Sequence, residues 1–341
     1  MNQQGAPARI GPADLRDGER RAKLLLLDDN VTAYLLIILV VVIGAYLVSI
    51  RSQSIFLCPA TGYSSDSYLA YCHATHYGDY DHGAFWFGLE PQISESVQTA
   101  EVLFLGNSRM QFGFSSNATD SWFATNSAKY YLMGFAYWEN YLFERALLQQ
   151  LKPAARVYVI NLDTFFADTE TPPAKIVMHD RDASARYKVK KVWQWFHAGI
   201  CSRFERVCGT DESFFRSRRT GGYELHGGRV ADVPASYNEV VDQAIARDYT
   251  ARARQFIANL PVDSQCVLLT IVPTVNTSIA TARAIAASLG TTLIAPDLAG
   301  LSTFDKSHMD KPSAERWSGA FFESAGPRIR QCLGHAATAS R

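Results

Sequence analysis

Short apolar runs alternate with helical patterns over the C-terminal two thirds of this 341-residue chain. The strand-like runs lie at 101–105, 156–161, 266–272 and 292–295. Patterns with apolar residues three and four positions apart, which are typical of amphipathic helices, lie around 138–151, 237–259, 278–289 and 312–332. Strands that are apolar throughout are typical of parallel sheets buried on both faces. The alternation therefore predicts an α/β fold, with a mainly parallel central sheet between two layers of helices.

A long apolar segment precedes this region. Val31 to Ile50 holds no charged residue over twenty positions, and as a helix it is about 30 Å long, the thickness of a hydrocarbon core. We expect it to cross a membrane once. Basic residues concentrate before it, and only Arg51 is basic between it and Glu101, so the positive-inside rule places the N-terminus in the cytoplasm and the rest of the chain outside. The basic residues of the leading segment are Arg9, Arg16, Arg20, Arg21 and Lys23.

A cleaved signal peptide is the competing interpretation of this segment, with Ser52-Gln53-Ser54 as its small-residue cleavage site. Its apolar region would be shorter, about 7–15 residues. The uncleaved helix divides the chain into five parts. We expect a cytoplasmic tail at 1–30, a transmembrane helix at 31–50, a turn-rich extracytoplasmic linking region at 51–98, an α/β domain at 99–333 with an insertion at about 168–235, and a tail at 334–341.

All six cysteines follow the apolar segment, which fits an oxidising compartment. Close spacing favours Cys58 with Cys72 and Cys201 with Cys208, which leaves Cys266 and Cys332 as a third pair. Cys266 could instead be a small buried side chain of its strand-like run. The formal net charge is zero, with 33 basic and 33 acidic residues, so composition gives no general attraction to nucleic acid.

Two short motifs carry the chemistry. Gly106-Asn107-Ser108-Arg109 follows the apolar run 102–105, so the serine is expected where a buried strand breaks into a turn. Open α/β sheets keep their sites at this edge. Asp305 and His308 lie three residues apart on one segment near the C-terminus. A serine becomes a strong nucleophile when an imidazole takes its proton and a carboxylate orients that imidazole. These residues therefore predict a Ser108, His308 and Asp305 triad.

The order of these motifs resembles the SGNH, or GDSL-like, hydrolase and acyltransferase superfamily over about residues 99–333. In that family the nucleophile follows the first strand and Asp-x-x-His precedes the last helix. The resemblance implies a flavodoxin-like three-layer fold and an oxyanion hole formed by the Ser108 N–H group, Gly134 and an asparagine. The α/β-hydrolase elbow is disfavoured because Met110 occupies its last glycine position.

The third block departs from the family pattern. Asp163 stands where the family asparagine would be, and a carboxylate there would repel an oxyanion unless it is protonated or turned away. Either Asn161 substitutes, or only backbone groups donate. Asp163 could also be a strand-end residue that caps the next turn. Asn107, Arg109 and Asp163 are therefore predicted to lie beside the site.

Two further segments carry polar or aromatic side chains. The run from Arg181 to Phe196 is basic and aromatic; it could be a lid or acceptor-binding arm, or an amphipathic helix that buries its tryptophans against the domain. The segment from Cys72 to His82 holds histidines and aspartates that could bind zinc. It lacks a His-Glu-x-x-His helix and reads as an irregular loop, so we expect no metal and no cofactor.

Three functional classes follow from these features. Tethered members of the resembled family often act with a multi-spanning membrane-bound O-acyltransferase to acetylate surface polysaccharides, which implies a periplasmic serine acyltransferase anchored in a bacterial inner membrane. An esterase would use the same acyl-Ser108 intermediate with water as acceptor. An anchored assembly protein that has lost the chemistry is the third class, and Asp163 is the residue that favours it.

Overall fold

We analysed a computed structural model of the protein, which describes residues 29–52, 54–73, 77–228 and 231–339. Most of the predicted tail at 1–30, the central residue of Ser52-Gln53-Ser54 and the residue His76 lie outside the described residues. The chain forms two compact units, Met1–Gln53 and Ser54–Arg341.

The first unit contains the helix α1 (Asp29–Ser52). The described side chains of this helix, 31–46, are exposed. Within the parts of the chain that the structure describes, none of the helices combines the length and the apolar character that a membrane crossing requires. The structure therefore does not confirm the predicted span at 31–50, and membrane anchorage stays a prediction.

The second unit mixes short strands with helices over its described residues. The strands are β1 (Ser67–Cys72), β2 (Gly78–Asp79), β3 (Val102–Asn107), β4 (Tyr130–Phe135), β5 (Val157–Asn161), β6 (Ser213–Ser217), β7 (Tyr223–His226), β8 (Val233–Ala235), β9 (Tyr237–Asn238), β10 (Val267–Thr270), β11 (Thr277–Ser278) and β12 (Leu301–Thr303). The α-helices are α2 (Asp81–Trp86), α3 (Pro91–Thr99), α4 (Ser108–Phe114), α5 (Asn117–Thr125), α6 (Tyr141–Leu151), α7 (Pro172–His179), α8 (Ala183–Cys201), α9 (Gln243–Ala258), α10 (Ile279–Leu289) and α11 (Lys311–Ala339).

A parallel sheet in the order β10-β5-β3-β4 forms the centre of this unit. Every residue of β3 is buried. Successive side chains of a strand point to opposite faces, so Val102 and Phe104 face one layer and Leu103 and Leu105 face the other. Both layers are therefore apolar, and the predicted mainly parallel α/β sheet is confirmed.

Helices cover both faces of the sheet. On one face, α11 packs against α4 and α5 around a core that contains Phe104, Phe114, Trp317 and Phe321. Elsewhere around the sheet α9 packs against α10, and α3 packs against α6 and β4. The chain forms the inner strand β3 first, adds β4 on one side of it, and then adds β5 and β10 on the other side. The order of connection therefore reverses between β3 and β5, and doubly wound sheets form their binding crevice at such a point.

A second, antiparallel sheet joins the predicted linking region to the insertion. Its order is β2-β1-β6-β7, so Ser67–Cys72 pairs with Ser213–Ser217 across more than a hundred residues of chain. A fully buried ion pair between Arg216 and Asp81 ties the same two segments together. Residues 54–99 are thus built into the second unit by strands and helices rather than only by turns.

The boundaries of several elements differ from those predicted. The helix predicted at 237–259 begins only at Gln243, because Asp242 accepts the Ile245 N–H group as its N-cap. The run 292–295 contributes a single bridge, Leu269 with Leu293. The last helix continues to Ala339, through most of the predicted tail. β4 was missing from the strand-like runs, since tyrosines open it and a glycine interrupts it.

The basic and aromatic run forms α8, but its tryptophans and Phe196 do not pack against the domain. Trp193 is 43% exposed, Trp195 73% and Phe196 45%. The buried positions of this helix are instead Ala183, Tyr187, Gln194, His197 and Cys201. The expectation that this helix buries its tryptophans is wrong.

Three disulfides follow the predicted pairing: Cys58–Cys72, Cys201–Cys208 and Cys266–Cys332. Cys266 is therefore bonded rather than a free buried thiol. Its disulfide fastens the start of β10 to the last helix α11, whereas Cys201–Cys208 closes a short loop after α8.

We predict that the Cys266–Cys332 disulfide contributes more to stability than the Cys201–Cys208 disulfide. Cys266–Cys332 spans 66 residues and Cys201–Cys208 spans 7, and loop-closure entropy gives about 4 kcal/mol for the longer loop and about 2 kcal/mol for the shorter one. Paired Cys→Ala variants of each disulfide, compared by urea unfolding, should show the larger loss for Cys266–Cys332. Equal losses would mean that unfolded-chain entropy is not what these bonds restrict.

Candidate active site

The end of β3 places Ser108 at the first position of α4. Asn107 is the N-cap of that helix, and its Oδ1 accepts the Arg109 N–H group at 2.9 Å. Gly106 pairs with Gly134 of β4, and a Cβ at position 106 would lie 3.0 Å from the Cβ atoms of Asn161 and Met110. The sequence Gly-Asn-Ser therefore lets the chain turn from strand to helix in a confined space.

Ser108, His308 and Asp305 form a continuous hydrogen-bonded relay. His308 Nδ1 lies 2.6 Å from Asp305 Oδ2, and His308 Nε2 lies 2.8 Å from Ser108 Oγ. A carboxylate only accepts, so the imidazole proton belongs on Nδ1. The Ser108 hydroxyl then donates to the free Nε2 lone pair, which is the arrangement a general base needs.

A tight turn holds the carboxylate and the imidazole together. Asp305 Oδ1 accepts the N–H groups of Ser307 at 2.9 Å and His308 at 2.7 Å. Lys306, which directly follows Asp305, has a φ of 75°. Burial raises the pKa of Asp305, but the hydrogen bonds and charge of His308 and the two backbone donors outweigh burial and hold it below its ordinary value. Asp305 is therefore ionised and able to stabilise a protonated imidazole at neutral pH.

Three phenylalanines surround the imidazole. The Phe304 ring stacks on His308 with centroids 5.5 Å apart, and the Phe112 and Phe214 rings meet it edge-on at 5.0 and 5.8 Å. Phe214 comes from β6, so the insertion supplies part of this wall. Apolar walls exclude water and strengthen the electrostatic interactions of the triad. No sequence motif marked these residues.

No protein-family model, curated protein or solved structure matches this chain. The chemistry of the site must therefore be inferred from its geometry and from the resemblance in its motifs.

Asp163 is held by two side chains of the segment 106–109, which carries Ser108 and which we call the nucleophile turn. Its Oδ1 is 2.8 Å from Arg109 Nη1, and its Oδ2 accepts from Asn107 Nδ2 at 2.7 Å. Arg109 Nε also donates to Ser307 Oγ at 3.0 Å, so the guanidinium connects the nucleophile turn, the end of β5 and the Asp305 loop. The Asp163 carboxylate is thus paired with a cation.

The predicted oxyanion residues Gly134 and Asn161 both lie at strand ends. A Cβ at Gly134 would come 2.6 Å from the Asn107 carbonyl oxygen, so glycine permits the close approach of β4 to the nucleophile turn. Asn161 is fully buried, and its Oδ1 accepts the Val272 N–H group at 3.0 Å. Its Nδ2 has no hydrogen-bond partner among the described residues.

Two carboxyl groups near the site were not predicted. Glu144 is fully buried and accepts the Gly106 N–H group at 3.0 Å; burial raises its pKa well above the ordinary value. Burial and the charge of Asp305 also raise the pKa of Glu212, against the opposing effect of His308. The sequence does contain a signal that Glu144 is buried, because Glu144 lies on the same helix face as Leu147 and Leu151.

The polar segment considered for zinc is occupied by internal hydrogen bonds. Cys72 is in a disulfide, Asp81 pairs with Arg216, and His82 lies between Asp79 and Glu139 at 2.8 Å from each. Burial lowers the pKa of His82, but these two carboxylates outweigh it and raise that pKa to about 10. His82 is therefore a buried cation between two anions.

One further group brings possible metal ligands together within the described chain. The ligand atoms of His197, Cys201 and Cys208 lie within 4.8 Å of one another. Both sulfur atoms are committed to the Cys201–Cys208 disulfide, and His197 hydrogen-bonds the Cys58 carbonyl oxygen. With its thiolates consumed, this group is a structural contact.

We predict that Glu144→Gln stabilises the protein at alkaline pH. The folded-state pKa of Glu144 is raised, so its contribution to stability is present below the ordinary pKa of 4.5 and is lost as pH rises toward the folded value. Glutamine can still accept from Gly106 and cannot ionise. Urea unfolding should show an advantage that grows by up to about 1.4 kcal/mol per pH unit. The exposed control Glu323→Gln should show no such trend, and a flat Glu144→Gln profile would contradict the neutral carboxyl.

We predict that Arg109→Met slows the reaction of Ser108 with a fluorophosphonate about 100-fold, because it releases the Asp305 loop and leaves Asp163 without its cation. Adding Asp163→Asn should restore part of the rate by removing the charge. Arg156→Met, which breaks a half-exposed pair with Glu101, is the matched control. A double variant as slow as Arg109→Met would show that the charge of Asp163 is unimportant.

Proposed function

We propose that this protein is a membrane-anchored, extracytoplasmic serine acyltransferase that transfers an acyl group, preferably acetyl, to a polysaccharide hydroxyl through an acyl-Ser108 intermediate. The observation that supports this most strongly is the relay from Ser108 Oγ through His308 to Asp305, with links of 2.8 and 2.6 Å.

The reaction would proceed in two halves. Ser108 Oγ attacks the acyl carbonyl while His308 Nε2 takes its proton, and the imidazolium then returns that proton to the leaving group. In the second half the same imidazole takes the proton of the acceptor hydroxyl, whose oxygen attacks the acyl-serine. The imidazolium then returns that proton to Ser108 Oγ as the bond between the acyl group and the serine breaks. The Ser108 and Gly134 N–H groups are the proposed oxyanion donors. Asn161, whose Nδ2 lacks another partner among the described residues, is the proposed third donor.

The order of elements supports the SGNH-type assignment. Ser108 follows the first strand of the parallel sheet, Gly134 lies near the end of the second, and His308 precedes the last helix by three residues. The central position of β3 in the sheet fits the flavodoxin-like arrangement of that family. The departure at Asp163 is compensated by Arg109, which weakens the reason to regard the protein as an inactive assembly factor.

The proposed location is the periplasmic side of a bacterial inner membrane. Three disulfides after residue 50 support an oxidising compartment. The uncharged segment 31–50 and the basic residues before it support a single anchor with a cytoplasmic N-terminus. A tethered enzyme is held beside an exported acyl donor, so a multi-spanning O-acyltransferase is the proposed acyl source. This last step is family analogy.

An esterase is the alternative that shares the same intermediate. The two activities are separated by supplying the full chain with an aryl acetate and an oligosaccharide, then measuring acetyl release to water and transfer to sugar. Transfer that exceeds hydrolysis supports the transferase, and hydrolysis alone supports the esterase.

We predict that Ser108→Ala lowers both activities by at least about a thousandfold, since the nucleophile is removed. The exposed Ser288→Ala variant is the control and should keep wild-type rates. Equal transfer by Ser108→Ala would end the nucleophile proposal. If fluorophosphonate does not label Ser108 in the folded protein, the assembly role becomes the better reading.

A further inference from the structure

The outer face of α8 is apolar although it faces solvent. Val189, Val192, Trp193 and Phe196 follow the i, i+3, i+4, i+7 spacing of one helix face, and each is at least 43% exposed. We call these four residues the outer stripe. Trp195 flanks the stripe and is the most exposed of these aromatic residues at 73%. Soluble proteins rarely leave a contiguous surface of this kind uncovered without a binding role.

Hydrogen bonds fix the inner face of α8, so the helix cannot roll to bury this stripe. The Gln194 amide accepts from and donates to the backbone of Leu69 at 3.2 and 2.8 Å. Tyr187 donates to Asp79 at 2.8 Å, and His197 contacts the Cys58 carbonyl oxygen at 3.1 Å. The Cys201–Cys208 disulfide closes the end of the helix. The outer stripe is a fixed feature of the surface.

Basic residues lie close to the outer stripe in the sequence. Between positions 180 and 206 the chain has seven Lys or Arg residues and three Asp or Glu residues, whereas the whole chain has 33 of each sign. Six of these cations are exposed: Arg181, Arg186, Lys188, Lys191, Arg203 and Arg206. The acidic residues are Asp180, which pairs with Arg186, Asp182 and Glu205. Trp and Phe beside Lys and Arg are typical of helices that lie in a lipid interface.

The chain enters the second unit beside this helix. Phe56 packs its ring 5.3 Å from that of His197, and six residues join Phe56 to Ile50 at the end of the apolar segment. Six residues span at most about 20 Å. An anchor formed by this apolar segment would therefore be joined to Phe56 by only a short stretch of chain.

We propose that the outer stripe of α8 and these nearby cations bind an anionic lipid surface. The stripe enters the boundary between headgroups and acyl chains, and the cations bind lipid phosphates. A lipid surface fits better than a glycan, because Val189 and Val192 in the stripe offer no ring to stack on a sugar. This contact concerns orientation on a membrane and is independent of acyl transfer by Ser108.

The test uses the full chain reconstituted in bilayers of equal parts phosphatidylcholine and phosphatidylglycerol, with brominated acyl chains that quench nearby tryptophans. All six tryptophans follow residue 53, so insertion of the apolar segment alone gives no quenching. We expect quenching in the wild type that is lost in Trp193→Phe/Trp195→Phe. Trp138→Phe removes a tryptophan that is 61% exposed in the turn after β4 and should keep the quenching.

Charge reversal provides the second readout with both reporter tryptophans in place. Lys188→Glu/Arg206→Glu should lower the ratio of protein with α8 bound to the lipid surface to protein with α8 unbound. The expected decrease is about fivefold for each basic residue lost. Lys129→Glu/Arg330→Glu, which reverses two exposed cations outside α8, should change little. Wild-type protein without quenching of Trp193 and Trp195 overturns the proposal. Cross-linking of the stripe to a second copy or to another protein, without quenching, overturns it in favour of that partner.

Discussion

The hydrogen bond between Ser108 Oγ and His308 Nε2 joins residues two hundred positions apart, and the rest of the site is arranged to make it possible. A fully buried central strand delivers the serine to one edge of the sheet, and the loop before α11 delivers the imidazole. The Cys266–Cys332 disulfide holds that last helix to the start of β10. Because Asp305 fixes the proton on Nδ1, the lone pair that faces the serine is free to take its proton.

Groups of different charge hold the nucleophile turn in place. Arg109 pairs with Asp163 and reaches Ser307, so one cation neutralises the unusual carboxylate and positions the loop that carries Asp305. Beneath the turn, the Glu144 carboxyl accepts the N–H group of Gly106, which lies just past the last paired residues of β3 and β5. Each partner satisfies a polar group that would otherwise be costly to bury.

Local patterns predicted the parallel sheet, the four helices α6, α9, α10 and α11, the disulfide pairing and the three relay residues, because each depends on short-range spacing or on a motif. The second sheet could not be predicted in this way. β1 and β6 are far apart in the sequence, and their pairing leaves no local signal. The buried partners of Asp81 and His82 were missed for the same reason, and a polar segment that resembled a zinc site proved to be two internal charge networks. The tryptophans of α8 were misread because amphipathicity alone does not say which face is buried; here hydrogen bonds from Gln194 and His197 decide it.

The most direct test of the relay is the tautomer of His308 in solution, measured by nitrogen NMR on histidine-labelled protein with His308→Ala for assignment. The relay predicts a neutral imidazole that carries its proton on Nδ1 and leaves Nε2 bare, with a resonance that moves in Asp305→Asn. A proton on Nε2, or a His308 signal that does not respond to Asp305→Asn, would contradict activation of Ser108 by this imidazole.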